Sequence, residues 1–320
     1  MPTVSVIMNI RNGAATLREA IASVMAQTVP EWELIAWDDR STDDSAAIVA
    51  EFRDPRIRYS LAPQEMPLGQ ARDAAIRQAW GEWLAFLDQD DVWLPQKLEK
   101  QLALAEPSSV GLIYGRTLAI YPNGGQRDLD YFHEFSPLPE GKIQAELLGR
   151  GCFIAMSSVL LRRPAVLESG GVPGCIHVSP DYSMYLSVCS RYQARAVQQV
   201  VCRYRVHSES MSNVYRRQTL EETLLLVEQW REALPPAEFQ RRRSHICTAL
   251  AFEDFRRPKT FAYGLRRLVN DGSVFWLMGR PFVHLWRRLR RGLRRPYWKQ
   301  LEHSAAEDRK LARDASGDSD

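Results

Sequence analysis

The chain lacks several patterns that mark well-known classes of protein. Its five cysteines among 320 residues form no CxxC pair and no zinc-ligand spacing, and their odd number argues against a disulfide framework. No signal peptide is recognisable after Met1, and no apolar run is long enough to cross a bilayer. We therefore expect reduced thiols and a cytoplasmic location.

Glycine-rich phosphate loops are missing too. The dinucleotide pattern GxGxxG is absent after the first strand-like run, and so is the loop GxxxxGK(S/T). A phosphate compound would then have to be held by other means, such as a metal ion. The net charge is only +3, but arginines gather in 241–243 and 280–295 while the last residues are acidic.

What is present is an alternation of strand-like and helical segments. The apolar runs that predict strands are 4–10, 33–37, 56–61 and 83–87. The segments with helical spacing of apolar residues are 16–27, 45–52 and 69–80. This alternation predicts an α/β fold with a mostly parallel sheet that is covered by helices on both faces.

The second half of the chain is less regular. We predict further strands at 110–114, 117–121, 157–162 and 194–206, helices at 95–105 and 181–191, and a long loop at 122–141. Strand signals stop near residue 212, and helical patterns follow at 219–233, 237–256 and 258–270. The sequence thus predicts a first domain over 1–211 and a helical C-terminal region with a polar tail over 212–320.

Polar residues cluster where three of the predicted strands end, at 9–12, 38–43 and 88–91. The carboxyl ends of parallel strands lie along one edge of a sheet, so these clusters should converge. The carboxylates of Asp88, Asp90 and Asp91 are hard ligands of the kind that Mg²⁺ or Mn²⁺ prefers. The alternative is a solvated acidic turn that caps the helix beginning near Pro95.

Four segments in this order and spacing resemble family 2 glycosyltransferases of the GT-A fold: 4–45, 68–95 and, more weakly, 179–192 and 204–212. The resemblance covers about the first 210 residues. It implies a Rossmann-like GT-A domain followed by a helical extension. It also implies a metal-dependent, inverting transfer of a sugar from a nucleotide donor, expected to be UDP-linked, to a glycan or lipid-linked acceptor in bacterial surface polysaccharide or glycoconjugate biosynthesis.

The resemblance assigns residues to the nucleotide sugar. The loop after the first strand and the double Asp after the second would hold the base and ribose, and a carboxylate can accept a hydrogen bond from a uracil N–H. The residues so assigned are Ile10, Arg11, Asn12, Asp38, Asp39, Arg72, Asp88 and Gln89. The alternatives are a turn-capping role for the double Asp and, for the helical arginine, a solvated or salt-bridged position.

The resemblance also assigns a metal site and a base. Asp88-Gln89-Asp90 matches the DXD motif, in which Asp90 would ligate Mn²⁺ or Mg²⁺ beside Asp88, with His207 assisting. Asp181 matches the general base that deprotonates the acceptor hydroxyl, and its alternative is a helix N-cap.

Three positions depart from the family pattern. Asn9-Ile10-Arg11-Asn12 stands where P-T-Y-N is usual, Arg40 where glycine is usual, and Pro180 where the residue before the base is normally acidic. The base is therefore the role that these departures affect most.

A basic amphipathic segment spans 280–298. Its apolar stripe is Phe282, Leu285, Trp286, Leu289 and Leu293, while arginines occupy the other faces. This composition predicts a helix that lies in an anionic membrane interface, which would make the protein peripheral at the cytoplasmic face of the inner membrane. The alternative is a helix packed on the catalytic domain. Nucleic-acid binding is not expected, because no recognition module accompanies the arginines.

The sequence leaves two alternatives to the transferase. A sugar-phosphate nucleotidyltransferase would need a glycine-rich basic signature in the first loop, which Arg11-Asn12-Gly13 does not supply. A non-catalytic nucleotide-sugar-binding protein that has lost its base is suggested only by Pro180.

Overall fold

The structure is a computed structural model that describes residues 2–255, apart from 107, 122–125, 128–136, 173–175 and 208–213. The chain forms two compact units, Met1–Leu250 and Ala251–Asp320, and the sheet and the site belong to the first. The predicted helix at 258–270, the amphipathic segment at 280–298 and the polar tail lie outside the described residues. So does the predicted domain boundary after residue 211.

The N-terminal half is a parallel sheet with helical crossovers. Its strands are β1 (Val4–Ile10), β2 (Trp32–Asp38), β3 (Ile57–Leu61) and β4 (Trp83–Phe86), in the order β3-β2-β1-β4. The crossover helices are α1 (Leu17–Met25), α2 (Ser45–Glu51) and α3 (Leu68–Arg77). β1, β2 and β4 are almost wholly buried, as their continuous apolar runs predict for strands covered on both faces.

The second half makes the sheet mixed. It contributes β5 (Val92–Trp93), β6 (Val110–Ile120), β7 (Gln126–Arg127), β8 (Leu160–Arg162) and β9 (Gln193–Arg205). β8 runs antiparallel between β4 and β6, β6 pairs with β9 in parallel, and β5 lies antiparallel to β9. The parallel half therefore matches the sequence prediction, while antiparallel ladders extend the sheet beyond it.

Two strand predictions differ from the structure in detail. A single strand, β6, replaces the pair predicted at 110–114 and 117–121, and its register shifts at Gly115 and Arg116. Gly115 is needed for close packing rather than for a turn, because a Cβ there would lie 2.7 Å from Val201 side-chain atoms. The predicted strand at 157–162 begins as a 3₁₀ turn, Met156–Ser158, and becomes extended only in β8.

Helices cover both faces of the sheet. The later ones are α4 (Lys97–Leu102), α5 (Gln144–Arg150), α6 (Arg163–Glu168), α7 (Pro180–Cys189), α8 (Arg216–Gln229) and α9 (Pro236–Phe255). One core lies on the side of α3, α5, α6 and α7, and the other on the side of α1, α2 and α4. The sequence prediction missed α5 and α6, which have 7 and 6 residues.

Within the part of the chain that the structure describes, every helix is too short or too polar to cross a membrane.

Candidate active site

Three polar clusters meet at the carboxyl edge of the parallel strands, as the sequence predicts. Ile10 at the end of β1 is in register with Asp38 at the end of β2. The backbone N–H of Arg11 donates to Oε1 of Gln89 at 2.8 Å, and Nε2 of Gln89 donates back to the Arg11 carbonyl at 2.9 Å. The Gln89 amide therefore ties the DXD turn to the first loop.

The first loop is also tied to the loop after β2. The backbone N–H of Asn12 donates to Ser41 Oγ at 3.0 Å, and Asn12 Oδ1 accepts the N–H of Thr42 at 2.8 Å. Asn12 and Arg40 both have left-handed backbones, with φ of 50° and 63°. Asparagine tolerates this conformation, whereas at Arg40 it costs about 1–2 kcal/mol. The left-handed backbone at residue 40 gives a physical reason for glycine at the matching family position.

Asp38 and Asp39 occupy different environments. Asp38 is 1% exposed; its Oδ1 accepts the Ser41 N–H at 2.7 Å and its Oδ2 accepts the Tyr59 hydroxyl at 2.8 Å. Asp39 Oδ1 accepts the N–H of Met66 at 3.1 Å, and partial burial raises the pKa of this carboxyl. Asp38 thus shapes the wall of the cleft, and Asp39 is the better placed to meet a ligand.

Arg11 closes this wall where the family usually has an aromatic residue. Its guanidinium donates to the carbonyl of Asp39 and lies 2.7 Å from a carboxylate oxygen of Glu65. Glu65 raises the pKa of Arg11. The planar guanidinium can stack on a base as an aromatic ring does.

Arg72 is buried and faces the DXD turn. Its side chain on α3 is 5% exposed, and its Nη2 lies 3.4 Å from Asp88 Oδ1. It is therefore buried rather than solvated, and it forms the kind of salt bridge that the alternative interpretation includes. The pKa of Asp88 is raised to about 6, first by burial and then by the charges of Asp90 and Asp181, while Arg72 acts to lower it.

Asp90 and His207 lie side by side. Nε2 of His207 is 2.7 Å from Oδ2 of Asp90, although 117 residues separate them in the chain. His207 follows β9, whose last residue, Arg205, donates through Nε to the Asp90 carbonyl at 2.8 Å. The end of β9 thus brings a histidine to the second carboxylate of the DXD motif.

A carboxylate beside an imidazole suits Mn²⁺ better than Mg²⁺, which prefers oxygen ligands alone. Among the described residues there is no group of three or more histidine, cysteine, aspartate or glutamate side chains arranged to hold a metal. Asp90 and His207 are the described residues that would hold such an ion, which would neutralise charge on a bound phosphate group. Asp88, whose side chain is 41% exposed, lies 3.4 Å from Arg72.

Asp91 is bonded within the protein through both oxygens. It is 1% exposed; Oδ2 accepts the Ser157 hydroxyl at 2.5 Å and Oδ1 accepts the Arg205 N–H at 2.9 Å. Burial raises its pKa well above the ordinary value, and the charges of Asp88 and Asp90 add to this. Of the three carboxylates in the turn, this one is structural.

Asp181 lies in the first turn of α7 and faces the same cleft. Oδ1 accepts the backbone N–H of Tyr182 at 2.8 Å, which is a local bond at the start of the helix. Burial raises the pKa of Asp181 and Arg72 lowers it. Arg72 lowers the pKa of both Asp88 and Asp181, so its charge lies near both carboxylates. Pro180, just before, is buried.

Glu222 holds the backbone of the segment that precedes α7. Its role was not predicted from the sequence. Glu222 is 6% exposed on α8. Its carboxylate accepts the backbone N–H groups of His177, Val178 and Ser179 at 3.0, 3.0 and 2.8 Å. The sequence held no signal for this role, since a glutamate in an amphipathic helix is normally a surface charge. Ser157 and Tyr59 were missed for the same lack of a local pattern.

Sequence comparison identifies the family and relatives of the chain. The family described as glycosyl transferase family 2 matches residues 5–170. The Escherichia coli UDP-Glc:alpha-D-GlcNAc-diphosphoundecaprenol beta-1,3-glucosyltransferase WfgD is 31% identical over 212 residues, 66% of this chain and 79% of that protein. The putative teichuronic acid biosynthesis glycosyltransferase TuaG of Bacillus subtilis (strain 168) is 28% identical over 217 residues, 66% of this chain and 82% of TuaG.

Solved structures share the fold. S. aureus TarS 1-349 in complex with UDP-GlcNAc superposes with a TM-score of 0.55 at 18% identity, covering 88% of this chain and 74% of TarS 1-349. The mannosyltransferase PcManGT from Pyrobaculum calidifontis, in complex with GDP-Man and Mn²⁺, superposes with a TM-score of 0.58 at 18% identity, covering 95% of this chain and 84% of PcManGT. The predicted fold class is confirmed. The chain belongs to glycosyltransferase family 2, with a GT-A-like α/β fold, and is a glycosyltransferase.

Proposed function

We propose that the protein is an inverting glycosyltransferase that moves a sugar from a UDP-sugar to a lipid-linked glycan acceptor. The observation that carries this proposal is the convergence of Arg72, Asp88 and Asp181 in one cleft, with the Asp90–His207 pair beside it. One such cleft offers a charged environment for a diphosphate and a separate carboxylate for the acceptor.

The nucleoside is proposed to bind along the wall formed by Arg11, Asp38 and Asp39. Asp39 is the acceptor for an imide N–H of the base, and Arg11 stacks over it. Asp38 keeps the loop in place through Ser41 and Tyr59. Ile10, Asn12 and Gln89 hold the neighbouring backbone. The UDP-glucose in the name of the E. coli relative supports a uridine donor.

The diphosphate is proposed to lie between Arg72 and a divalent ion held by Asp90 and His207. Such an ion, Mn²⁺ or Mg²⁺, neutralises the charge that develops on the leaving nucleoside diphosphate. Asp88 orients Arg72 and borders the ribose. The Mn²⁺ in the complex of PcManGT supports a divalent ion, and the imidazole in the pair favours Mn²⁺ over Mg²⁺.

Asp181 is proposed as the general base. Its carboxylate takes the proton of the acceptor hydroxyl as the oxygen bonds to the anomeric carbon, and the bond from that carbon to the diphosphate oxygen breaks on the opposite face. The configuration at the anomeric carbon is therefore inverted. Burial, which raises the pKa of Asp181, makes the carboxylate a stronger base than an exposed aspartate.

The acceptor is proposed to be a sugar linked to a polyprenyl diphosphate. The names of two E. coli relatives give GlcNAc-diphosphoundecaprenol as their acceptor. A lipid-linked acceptor suits the basic segment 280–298, which would hold the enzyme at the cytoplasmic face of the inner membrane. The product then belongs to surface polysaccharide or glycoconjugate synthesis.

A donor screen tests the reaction class. The full chain is incubated with a panel of nucleotide sugars and a GlcNAc-diphospho-polyprenol acceptor, with Mn²⁺, with Mg²⁺ or with EDTA, and nucleoside diphosphate release is measured. We expect UDP release that needs both acceptor and ion, and a product whose anomeric configuration by NMR is opposite to that of the donor. Pyrophosphate release from a nucleoside triphosphate and a sugar phosphate would instead indicate a nucleotidyltransferase.

Asp181→Asn tests the base, because the amide keeps the size of the side chain and an oxygen for the Tyr182 N–H. We expect kcat to fall by about 10²–10⁴-fold while UDP affinity stays within about threefold of the wild type. Glu168→Gln, on a surface away from the cleft, serves as the control. Unchanged turnover in Asp181→Asn would reject the base assignment. UDP-sugar binding without turnover in the wild type would favour the binding-protein alternative.

A further inference from the structure

Ser157 lies beneath the DXD turn and bonds to it twice. It belongs to the 3₁₀ turn Met156–Ser158 and is fully buried. Its Oγ accepts the backbone N–H of Asp88 at 3.1 Å and donates to Oδ2 of Asp91 at 2.5 Å. One hydroxyl therefore contacts the turn at Asp88 and at Asp91, on both sides of Gln89 and Asp90.

Asp91 links Ser157 to the segment that carries His207. Its Oδ1 accepts the backbone N–H of Arg205 at 2.9 Å, and Nε of Arg205 donates to the Asp90 carbonyl at 2.8 Å. Only one residue separates Arg205 from His207. A continuous set of hydrogen bonds thus runs from Ser157 through Asp91 to the end of β9.

The 3₁₀ turn is itself fixed from the opposite side. Trp93 Nε1 donates to the carbonyl of Ser157 at 2.8 Å, and Gln101 Nε2 donates to the carbonyl of Ser158 at 2.8 Å. Both donors are buried. Buried side chains therefore hold the backbone of the 3₁₀ turn, while the Ser157 hydroxyl contacts the loop after β4 and, through Asp91, the end of β9.

We propose that Ser157 and Asp91 are positioning residues, which together hold Asp90 and His207 at the separation that one divalent ion and a diphosphate require. This inference rests on the proposed function, in which Asp90 and His207 are the ion's protein ligands. Groups that bind an ion must be held within about 0.5 Å of the productive geometry by partners outside the site. Neither Ser157 nor Asp91 meets the ion or the substrate.

The chain offers a matched pair of variants. Ser157→Ala removes the hydroxyl that contacts the DXD turn. Ser158→Ala removes the hydroxyl of the next residue, which is also fully buried but donates only to the carbonyl of Ala155, at 2.8 Å within the same turn. A purely structural role predicts similar effects of the two variants. A positioning role predicts that only Ser157→Ala alters the cleft.

Hydrogen–deuterium exchange of the full chain, without ion or nucleotide, measures the positioning directly. We expect Ser157→Ala to speed amide exchange at 88–91 and 203–207, while Ser158→Ala leaves both segments at wild-type rates. Asp91→Asn is the second variant, for use if Ser157→Ala does not fold, and is expected to speed exchange at 203–207. Equal rates in these segments for wild type, Ser157→Ala and Asp91→Asn would overturn the proposal.

Binding of Mn²⁺ and of UDP, measured by calorimetry, adds a readout that does not depend on turnover. In Ser157→Ala we expect Mn²⁺ in the presence of UDP to bind about 10–100-fold more weakly, with Ser158→Ala unchanged. Equal weakening in both serine variants would reject a positioning role. If the wild type binds UDP but does not bind Mn²⁺ in its presence, the metal site of the proposed function is rejected. The exchange rates would still decide whether Ser157 positions the turn.

Discussion

At the scale of single residues, the cleft depends on side chains that do not meet the proposed ligands themselves but hold the residues that do. Tyr59 is an example: its ring is partly exposed on β3, yet its hydroxyl donates to Asp38 at 2.8 Å. Burial and the Asp38 carboxylate raise the pKa of Tyr59 to about 12. The hydroxyl therefore stays protonated and remains a donor to Asp38 over the whole working range of pH.

Tyr59→Phe should weaken UDP binding by about three- to tenfold, since a hydrogen bond to a carboxylate at a partly exposed site contributes about 1 kcal/mol. The free energy of unfolding should change by less than about 1 kcal/mol. Calorimetric titration with UDP and urea unfolding measure the two effects. The control is Tyr192→Phe, which removes a hydroxyl bonded to Glu168 at 2.9 Å on an exposed surface. Equal UDP affinity in both variants would exclude a role for Tyr59.

Lys97 is a residue whose charge is costly. It is fully buried on α4, and the groups that contact its ammonium are neutral: Gln101 Oε1 at 2.6 Å and the Trp93 ring at 4.2 Å. Burial lowers the pKa of Lys97 to about 7, against a small raising effect of Cys202. Because Gln101 also holds the carbonyl of Ser158, this lysine belongs to the support of the 3₁₀ turn.

The pKa of Lys97 predicts a pH-dependent stability. The unfolded chain binds more protons than the folded one between the folded pKa, about 7, and the ordinary value of 10.5. Stability should therefore rise with pH across this window and be insensitive to this group below it. Relative to Lys97→Met, the wild type should gain up to about 2 kcal/mol between pH 7 and 9. Urea unfolding at several pH values measures the difference, and parallel curves for the two proteins would contradict it.

At the scale of elements, α8 holds the start of α7. The carboxylate of Glu222 accepts three successive backbone N–H groups, from His177 to Ser179, and Gln218 donates to it at 3.1 Å within the helix. Asp181 follows two residues after Ser179. The position of the proposed base is thus set by a helix that lies more than thirty residues later in the chain.

Glu222→Gln should destabilise the fold by about 1–3 kcal/mol, because an amide group would turn N–H donors toward backbone N–H groups that need a buried acceptor. We also expect kcat to fall while UDP affinity is retained, since the nucleotide wall lies elsewhere. Urea unfolding and steady-state kinetics provide the measurements. Glu221→Gln, an exposed neighbour paired with Arg217, is the control and should cost less than about 0.5 kcal/mol. A loss in Glu222→Gln no larger than in the control would refute the role.

At the scale of the whole molecule, the clustering of arginines in one segment predicts binding to an anionic membrane surface. The basic segment 280–298 lies outside the described residues, so its helix remains a prediction from the sequence. Each arginine near an anionic bilayer contributes about 1 kcal/mol of binding, and the aromatic side chains Phe282 and Trp286 would enter the interface. The enzyme and a lipid-linked acceptor would then both be located at the membrane surface.

Replacing Arg287, Arg288, Arg290 and Arg291 by Gln in the full chain should reduce binding to phosphatidylglycerol-containing vesicles by at least tenfold. Wild-type binding should weaken as salt increases, because surface electrostatics are screened. Co-sedimentation with anionic and with phosphatidylcholine vesicles measures both. If the wild type does not co-sediment with anionic vesicles, the result favours the alternative of a helix packed on the catalytic domain.

Much of the parallel half was predictable from the sequence, because strands buried on two faces must be apolar throughout and helices between them must show one apolar side. The second half was less predictable. β5 has two residues and pairs antiparallel with β9, far away in the chain. So short a strand carries no period, and only its tertiary partner decides that it exists.

The same division holds for the site. The sequence alone determined that Asp38, Asp39 and the Asp88-Gln89-Asp90 turn follow strands, because strand ends are local, and parallel strands bring such ends to one edge. Only the tertiary structure decided that Arg72 faces Asp88, that His207 reaches Asp90, and that Asp91 is bonded inside the protein. Those contacts join residues from 16 to 117 positions apart, and no local pattern encodes which of several nearby carboxylates a distant strand will meet.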